Sequence, residues 1–533
     1  MARTIVVLSG AICTGKTTLA RRLYERYDAH HLSTRKLLLT RAPSLAAERA
    51  SLQSLGERLD EETNGSWVAD GFAPVIAQLP DNAVVVLDSV RLSSQVEGLR
   101  KAFGRQVIHV HLDAPDQELA SRFEARKPTS AVAEVASYEE LRNSLTEANI
   151  RALEAEADVV IDTQRCEPED VEVRAACHLG LHGKDMMRLV DVLIGGQYGS
   201  EGKGNIAFHL APEYDLLVRV GGPNAGHKVP LDEPYTHRLL PSGTRATEAP
   251  LLIGPGAVIN VDVLLDEISA SGVDVDRLSI DPQAMVITAT DIKAEQKLVK
   301  EIGSTGQGVG EATARRIRGR RGEVGLARDV RPLRPYLVEA RYVLEDAFSS
   351  QKRVLLEGTQ GTALSLFHGD YPHVTSRDTT VSGCLAEAGV APHRVRKVVM
   401  VCRTYPIRVQ SPKGRTSGPM SQPIDWQTIA DRSGIELAEL ERIERGSVSD
   451  KQRRVAEFDW ALLRKASVLN GPTDIALTFV DYLDVRNREA RRFEQLQPAT
   501  IQFIEEVERV AGAPVSLIST RFHVRSVIDR RAW

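Results

Sequence analysis

The chain has 533 residues, which is more than one ordinary hydrophobic core holds, so we expect at least two domains. The formal net charge of −4 gives no general reason to expect binding to nucleic acid or to a membrane surface. Five scattered cysteines lack metal-ligand spacing, and no apolar run is long enough to cross a bilayer. These features predict a soluble protein of the cytoplasm without a disulfide framework.

The N-terminal region begins with an apolar strand, Thr4–Leu8, followed by the pattern G-x-x-x-x-G-K-T and a helical pattern. Backbone N–H groups of such a loop cradle nucleotide phosphates, a lysine reaches the terminal phosphates, and a threonine hydroxyl binds Mg²⁺. This pattern predicts an ATP site made of Gly10, Gly15, Lys16, Thr17 and Thr18. Thr17 is also the predicted metal ligand.

A second strand ends in Asp88, which is placed to act on a metal-bound water, and Asp70 is the alternative for that role. A later helical segment carries Arg122 and Arg126, which are either lid arginines or part of a solvated helix face. Residues 31–36 lie where small nucleotide kinases bind their acceptor. The region resembles a P-loop nucleoside monophosphate kinase, and its acceptor stays open.

The pattern weakens after residue 165, and polar residues follow. We therefore predict a kinase-like domain over 1–165, a linker over 166–187 and a second domain over 188–533. The expected fold class is α/β, with two P-loop-type domains. The first is built on a parallel sheet and the second on a mixed sheet.

The second domain opens with a strand that runs into the glycine-rich stretch 195–204, and the stretch G-G-P-N-A-G-H-K follows at 221–228. Together they resemble the adenylosuccinate synthetase family, whose members join aspartate to C6 of a purine nucleotide. The resemblance implies that Lys203 contacts the transferring phosphate and that His227 is the general acid at the purine O6. It also places Asn224 beside the nucleotide.

Further stretches match the same family in order. The glycine-rich stretch 303–310 resembles its phosphate loop, with Ser304 and Thr305 at the 5′-phosphate. In the basic run that follows, Arg318 or Arg320 matches an arginine that reaches the partner's nucleotide, which implies a homodimer. The stretches 356–362 and 368–376 match at the family spacing, so Gln360 reads the purine edge and Thr375 contacts the phosphate.

The resemblance also assigns the aspartate and phosphate-donor sites. The aspartate loop contains Ser449, Lys451, Arg453 and Arg454, and Lys451 replaces an arginine that touches the ribose. The guanine-reading T-K-x-D pattern lacks its lysine at 478–481, which favours ATP over GTP as donor. The residues assigned to the donor are Gly199, Glu201, Gly202, Gly204, Phe479, Asp481 and Ser519, and Phe479 is placed to stack on a base.

Ser200 stands where the family has a catalytic aspartate that removes the N1 proton and helps to hold the metal together with Gly226. A serine leaves room beside N1 and C2, which suits a purine with a 2-amino group. The same replacement marks a phage branch of the family, the 2-aminoadenylosuccinate synthetases, which use dGMP, aspartate and ATP. The proton acceptor is then the substrate aspartate or an activated water. Two alternatives stay open: a conventional enzyme acting on IMP, and a nucleotide sensor without catalysis.

Overall fold

A computed structural model forms two compact units, Met1–Lys184 and Asp185–Trp533. The residues that it describes are 3–42, 49–88, 90–126, 137–143, 145–181, 187–320, 325–445 and 452–532. Each unit has its own apolar core. Among the helices described, none combines the length and the apolar character that a membrane span requires.

The described part of the first unit forms a five-stranded parallel sheet in the order β2-β3-β1-β4-β5. Its strands are β1 (Thr4–Gly10), β2 (His30–Ser33), β3 (Val84–Asp88), β4 (Val107–Asp113) and β5 (Val159–Asp162). Its helices are α1 (Lys16–Tyr27), α2 (Thr34–Arg41), α3 (Arg49–Thr63), α4 (Trp67–Ala77), α5 (Ser93–Phe103), α6 (Asp116–Arg126), α7 (Tyr138–Arg142), α8 (Leu145–Ala152) and α9 (Pro168–His178). Since β1 and β3 are parallel neighbours, the glycine loop after β1 and the last residue of β3 lie at one edge of the sheet.

Helix α9 corrects the predicted linker, which was placed over 166–187. The buried side chains of Val171 and Ala175 pack into the core of the first unit. Glu172 of the same helix forms ion pairs with Arg22 and Arg26 of α1, at 2.6 and 2.7 Å. Residues 168–178 are therefore a packed helix of the first unit.

The second unit is larger and contains a nine-stranded sheet. The strands of the whole unit, inside and outside that sheet, are β6 (Val190–Gly195), β7 (Leu216–Arg219), β8 (His227–Val229), β9 (Tyr235–His237), β10 (Leu251–Ile253), β11 (Val258–Ile259), β12 (Leu278–Ile280), β13 (Met285–Val286), β14 (Val354–Glu357), β15 (Val395–Arg403), β16 (Ile407–Arg408), β17 (Pro423–Ile424), β18 (Arg454–Ala456), β19 (Asp474–Thr478), β20 (Val515–Ser519) and β21 (Val527–Asp529). Its helices are α10 (Lys203–Leu210), α11 (Val261–Ser271), α12 (Ala289–Ile302), α13 (Val309–Arg318), α14 (Ala340–Ser349), α15 (Val381–Ala388), α16 (Trp426–Ser433), α17 (Leu437–Ile443), α18 (Trp460–Asn470) and α19 (Pro498–Ala511).

The strand order of this sheet is β12-β10-β7-β14-β6-β15-β19-β20-β21. Its strands are parallel except β21, which runs antiparallel to β20. The mixed sheet of this unit and the parallel sheet of the first confirm the predicted α/β class. Strand β6 lies near the middle of the sheet, and a ligand site is expected where the carboxyl ends of such strands meet.

Candidate active site

A cavity of about 1110 Å³ lies in the second unit, beside the loop that follows β6. Its wall comes from stretches that are far apart in the sequence. The predicted site residues that line it are Gly199, Ser200, Asn224, Gly226, Ser304, Thr305, Gln360, Thr375 and Arg453. The structure therefore brings five of the seven residues predicted for the substrate nucleotide to one place, together with one predicted aspartate residue.

The glycine loop is organised from inside by Glu201. This residue is fully buried, and its carboxylate accepts the N–H groups of Gln197 at 3.0 Å and Gly199 at 2.7 Å. It also forms a 2.6 Å ion pair with the buried ammonium group of Lys203, which donates to the Gly199 carbonyl at 3.1 Å. Gly202, with φ of +90°, caps α10 in the left-handed conformation that glycine adopts easily. Glu201, which we expected at the donor, instead points into its own loop.

The donor side of the loop is closed by Phe479. Its backbone has φ of +59°, and a Cβ atom placed on Gly202 would lie 3.3 Å from its ring. The guanidinium of Arg403 lies 4.1 Å from the ring centroid, and the Tyr482 ring is 5.2 Å away. The ring thus packs inward in this structure, which differs from the predicted stacking on a donor base.

Asp481 and Ser519, also assigned to the donor, are both engaged within the protein. The buried carboxylate of Asp481 accepts from Arg488 Nε at 3.0 Å through Oδ2, whereas Oδ1 has no hydrogen-bond partner among the residues described. Burial raises the pKa of Asp481 to about 6, and Arg488 opposes that rise. Ser519 Oγ accepts from Asn205 Nδ2 at 2.9 Å, which ties β20 to α10.

His227 is part of a buried charged network. Its Nδ1 contacts Glu357 Oε1, and the same carboxylate oxygen binds Arg219 at 3.1 Å. Burial lowers the pKa of His227 to about 4, and the Arg219 charge adds to that effect. Burial alone would raise the pKa of Glu357, but Arg219 and the hydrogen bonds from His227 and Ser242 hold it at about 2.

The protonation state of His227 follows from these values. At neutral pH the imidazole is uncharged, and its proton lies on Nδ1 because the facing carboxylate only accepts hydrogen bonds. Its Nε2 atom is buried without a hydrogen-bond partner among the described residues. The resting histidine therefore presents an acceptor at Nε2, and the predicted role as general acid requires that Nε2 first takes up a proton.

Gln360 is held in an uncommon conformation at the cavity wall. Its φ of +60° lies in the left-handed region, which costs a non-glycine residue about 1–3 kcal/mol. Its Nε2 atom donates to Asn224 Oδ1 at 2.9 Å, and Asn224 Nδ2 lies 3.5 Å from Thr375 Oγ1. Three residues that were predicted to bind the substrate nucleotide, two at the purine and Thr375 at the phosphate, are thus joined by hydrogen bonds.

The predicted phosphate loop is shaped by a carboxylate as well. Glu295 of α12 accepts the N–H groups of Gly308 and Gly310, both at 2.6 Å. Ser304 Oγ accepts the N–H of Gly306 at 3.2 Å. This places Ser304 and Thr305 on the cavity side of the loop.

The two arginines of the predicted aspartate loop take different positions. Arg453 lines the cavity and lies 3.9 Å from Glu444. The Arg454 guanidinium binds Ser417 Oγ at 3.0 Å and the Gly418 carbonyl at 2.8 Å. The other two predicted members, Ser449 and Lys451, lie outside the described residues.

Arg318 and Arg320 do not reach this cavity within the chain. Arg318 is exposed and lies 3.5 Å from Glu311. Arg320 lines a separate groove of about 450 Å³ with Arg316, Ile317 and Leu326. Both arginines therefore lie outside the set of residues that line the substrate-side cavity.

Several residues of the site were missed in the sequence. Arg219 and Glu357 end the apolar strands β7 and β14, and Arg403 follows the apolar run 398–402 at the end of β15. The buried Arg403 donates to the Ser200 carbonyl at 3.3 Å and pairs with Glu444 at 2.8 Å. A charged residue at the carboxyl end of an otherwise apolar strand was the signal that could have found them.

The first unit holds its glycine loop over β1 and β3. Lys16 donates to the Gly10 and Ala11 carbonyls at 2.6 and 2.8 Å. Gly15, with φ of +96°, caps α1, and Thr17 and Thr18 lie in the first turn of that helix. Asp88 pairs in register with Leu8 of β1. The predicted ATP-site residues therefore lie together.

Other predictions for the first unit have mixed outcomes. Asp70, the alternative to Asp88, is exposed in the first turn of α4 and does not end a strand. Arg122 binds Glu118 at 2.9 Å and Thr163 at 3.0 Å, and the side chain of Arg126 lies outside the described part. In the predicted acceptor region, His31 Nε2 lies 3.6 Å from Asp88 Oδ2.

The chain thus combines two α/β units, each with a glycine loop between a strand and a helix, which defines a nucleotide-dependent enzyme. The adenylosuccinate synthetase model matches residues 192–327 and 323–488, and a model described as an AAA domain matches 6–140. The adenylosuccinate synthetase of Archaeoglobus fulgidus is 36% identical over 347 residues, which cover 64% of this chain and 98% of that enzyme. The chain belongs to the adenylosuccinate synthetase family, and it is a ligase with a kinase-like domain in addition.

Two solved structures resemble the chain. The succinoaminodeoxyadenylate synthetase of cyanophage S-2L, bound to dGMP and to dATP as energy donor, is 27% identical, with a TM-score of 0.55. The match covers 65% of this chain and 96% of that one. The adenylosuccinate synthetase of Plasmodium falciparum shares the fold, with 22% identity and a TM-score of 0.57. That match covers 64% of this chain and 100% of the Plasmodium chain.

The family implies Mg²⁺, and the oxygen atoms present suit it. In the second unit Ser200 and Gly226 offer a hydroxyl and a carbonyl oxygen at the cavity wall. In the first unit Asp88 Oδ1 is buried with no hydrogen-bond partner among the described residues. Within the described ranges no cluster of three or more His, Cys, Asp or Glu side chains could hold a metal. Phosphate oxygens of a bound nucleotide commonly supply further Mg²⁺ ligands in enzymes of this kind.

Proposed function

We propose that this chain joins L-aspartate to C6 of dGMP, with ATP as phosphate donor. The product is N6-succino-2-amino-2′-deoxyadenylate. The observation that carries the proposal is Ser200, which lines the cavity with Asn224 and Gln360. A carboxylate at that position would occupy the space beside N1 and C2, whereas the smaller serine leaves room for a 2-amino group, and its hydroxyl oxygen can accept a hydrogen bond from that group.

The other carboxylates of the cavity wall support this reading. Among the described lining residues they are Glu295 and Glu301. Glu295 already accepts two backbone N–H groups, and Glu301 lies 3.8 Å from Lys297. Both carboxylates therefore already have partners within the chain. The cyanophage relative, which was solved with dGMP, is consistent with a guanine substrate.

The reaction has two steps. First, O6 attacks the γ-phosphorus of ATP while N1 loses its proton, which releases ADP and leaves a 6-phosphoryl purine. The amino group of aspartate then attacks C6 and loses a proton, and the C6–O6 bond breaks to release phosphate. Mg²⁺ held by Ser200, Gly226 and the phosphates would spread the charge of the transferring group.

The chain's own side chains have distinct roles in these steps. Lys203, at the start of α10, stabilises the phosphoryl charge, and the Arg453 guanidinium binds a carboxylate of aspartate. The developing negative charge favours proton uptake at His227 Nε2, after which His227 can donate to O6. Glu357 retains the opposite proton on Nδ1 throughout, so it keeps the imidazole oriented.

The donor-side geometry supports ATP over GTP. In the matched T-K-x-D pattern the lysine is replaced by Phe479, and the Asp481 carboxylate is engaged by Arg488. A carboxylate that is bound to arginine is a poor acceptor for the N–H groups of guanine. Equal or faster phosphate release with GTP than with ATP would overturn this part of the proposal.

The substrate is tested with a panel of dGMP, GMP, IMP and dIMP, with phosphate release as the measurement. We expect Ser200→Asp to lower the guanine-to-hypoxanthine ratio of kcat/KM by about tenfold or more, since an unfavourable buried polar contact costs about 1–3 kcal/mol. Ser200→Ala is the matched control, because it keeps the space without adding a charge, and it should retain the guanine preference.

The same panel separates the alternatives. Preference for IMP in the unmodified chain would indicate a conventional adenylosuccinate synthetase. Binding without turnover of either purine would indicate a nucleotide sensor. A guanine-to-hypoxanthine ratio that Ser200→Asp leaves unchanged would remove Ser200 from the specificity argument.

For the first unit we propose phosphorylation of a deoxynucleoside monophosphate. The loop with Lys16 and Thr17 and the neighbouring Asp88 support it. The test uses the full chain with Lys203→Ala, which should remove the ligase reaction, and measures ADP formation with deoxynucleoside monophosphates. Binding of ATP without phosphorylation of any of them would contradict this activity.

We also propose a homodimer in which Arg318 or Arg320 reaches the partner's nucleotide. Their exposure away from the chain's own cavity supports it. Light scattering should give twice the chain mass. A mixture of Lys203→Ala with the double variant Arg318→Ala/Arg320→Ala should regain activity that neither has alone, and a monomeric active enzyme would refute the arrangement.

A further inference from the structure

A series of hydrogen bonds connects a buried ion pair to the side-chain amide of Gln360. Glu387 Oε1 accepts a hydrogen bond from Arg377 Nε at 2.7 Å, and Arg377 Nη2 forms an ion pair with Glu387 Oε2, also at 2.7 Å. The third arginine nitrogen, Nη1, donates to Thr359 Oγ1. Thr359 Oγ1 lies 2.7 Å from Gln360 Oε1, and Gln360 Nε2 lies 2.9 Å from Asn224 Oδ1.

The direction of these bonds follows from which groups can donate. A guanidinium has N–H donors and no acceptor, so the Thr359 hydroxyl must accept from Arg377. Its single hydrogen then points to Gln360, whose carbonyl oxygen is the acceptor. The opposite amide orientation would leave that buried hydroxyl hydrogen without an acceptor, which is unfavourable in a site that excludes water. The Gln360 amide is therefore turned with its oxygen inward and its NH₂ group outward.

We propose that Arg377 and Thr359 are positioning residues that hold Gln360 as a hydrogen-bond donor toward the bound purine. This inference rests on the proposed function. One N–H of Gln360 binds Asn224, and the other is available on a side chain that lines the cavity. On the reacting edge of the purine, the acceptors for this N–H are O6 in the substrate and N1 after its proton has left.

A fixed donor at this edge has a consequence for catalysis. As N1 loses its proton, negative charge spreads over N1 and O6, and a donor N–H stabilises that charge. The effect matters in this chain because Ser200 cannot remove the proton as a carboxylate would. The relay thus favours the deprotonated purine without acting as a base.

The surroundings of Thr359 keep water from replacing its hydroxyl. Thr359 is 2% exposed and Arg377 is 8% exposed. Gly221, with φ of +95°, covers the hydroxyl so closely that a Cβ atom there would lie 2.1 Å from Thr359 Oγ1. Removal of the hydroxyl should therefore release the amide of Gln360 rather than admit a bridging water.

The test compares Thr359→Val with Thr359→Ser in the full chain, with dGMP as the varied substrate. Valine removes the relay hydroxyl, and serine keeps it. We expect valine to lower kcat about tenfold, the value of one hydrogen bond of about 1.4 kcal/mol, with little change in KM. The pH at which kcat reaches half its plateau should move upward with valine and stay unchanged with serine.

The outcomes are separable. Equal kcat values and pH profiles for the valine variant and the unmodified chain would overturn the inference, as would equal losses in the valine and serine variants. If valine prevents folding, Thr359→Ala removes the hydroxyl without adding a methyl group, and the same expectations apply to it. An unmodified chain that turns over no purine nucleotide would refute the proposed function itself, and the relay with it.

Discussion

The two units share one local device, a glycine loop between a buried strand and a helix, but they surround its lysine differently. In the first unit Lys16 contacts two backbone carbonyls, and burial lowers its pKa although Asp88 and Glu147 oppose that shift. In the second unit Lys203 forms a buried ion pair with Glu201. Glu201 also binds two N–H groups of the loop.

The difference concerns what shapes each loop before a nucleotide arrives. The carboxylate of Glu201 occupies the concave side of the second loop, so that loop is preorganised by the chain itself. In the first loop the lysine is held by peptide dipoles, and a bound phosphate would supply the stronger counter-charge. The same backbone motif can therefore be either self-supported or dependent on its ligand.

The largest expected effect separates the two lysines by activity. Lys203→Ala should lower the ligase rate at least about 10³-fold, since it removes a charge that stabilises the phosphoryl group in a buried site. Lys16→Ala is the matched control and should leave the ligase rate within about twofold, because its loop belongs to the other unit. Phosphate release with dGMP, aspartate and ATP measures both, and similar losses in the two variants would show that the loops act together.

The second test removes the negative charge that pairs with Lys203. Glu201→Gln leaves Lys203 buried without its carboxylate, and it should lower the free energy of unfolding by about 3–5 kcal/mol. Glu147→Gln in the first unit is the comparison. Glu147 accepts the Ile12 N–H at 3.3 Å, and glutamine keeps an acceptor oxygen, so a loss of about 1 kcal/mol or less is expected. Urea unfolding measures both variants, and equal losses would contradict the distinction between the loops.

The smallest effect is a pH dependence that the two units should share. Burial lowers the pKa of His111 in the first unit and of His227 in the second to about 4 each. The unfolded chain, with histidine pKa near 6.5, binds more protons between pH 6.5 and 4. Stability should therefore be complete above pH 6.5 and should fall on acidification, by up to about 1.4 kcal/mol per pH unit for each histidine.

Denaturant midpoints between pH 7 and pH 4.5 check this sign. His111→Gln should flatten the pH dependence, because glutamine does not titrate there. A steeper loss of stability in that variant than in the unmodified chain would show that His111 is not the buried neutral group that its contacts with Ser9 indicate.

Much of the fold could be predicted from the sequence, and the reasons are local. The apolar run before each glycine loop predicted β1 and β6, and the loops themselves predicted the starts of α1 and α10. The linker over 166–187 was wrong for residues 168–178. Polar residues alternate with small apolar ones there, and only the packing of α9 on α1 shows that the apolar set is buried.

The site was predictable where a motif lies within one loop, and not where partners come from different strands. Ser200, Asn224 and Gln360 were found through their motifs, and they share one cavity. The Phe479 ring packs against Arg403, and the Glu201 carboxylate points into its own loop. Neither orientation was predictable, because each depends on neighbours that no local pattern specifies.

The sequence by itself determined the two glycine loops and the replacement at Ser200, because residue type and spacing within one loop decide its backbone conformation and its chemistry. The tertiary structure alone decided which charged strand ends meet. Arg219, Glu357 and His227 form one network although 138 residues separate Arg219 from Glu357. Their meeting depends on strand order and register, which arise from side-chain packing across the whole sheet.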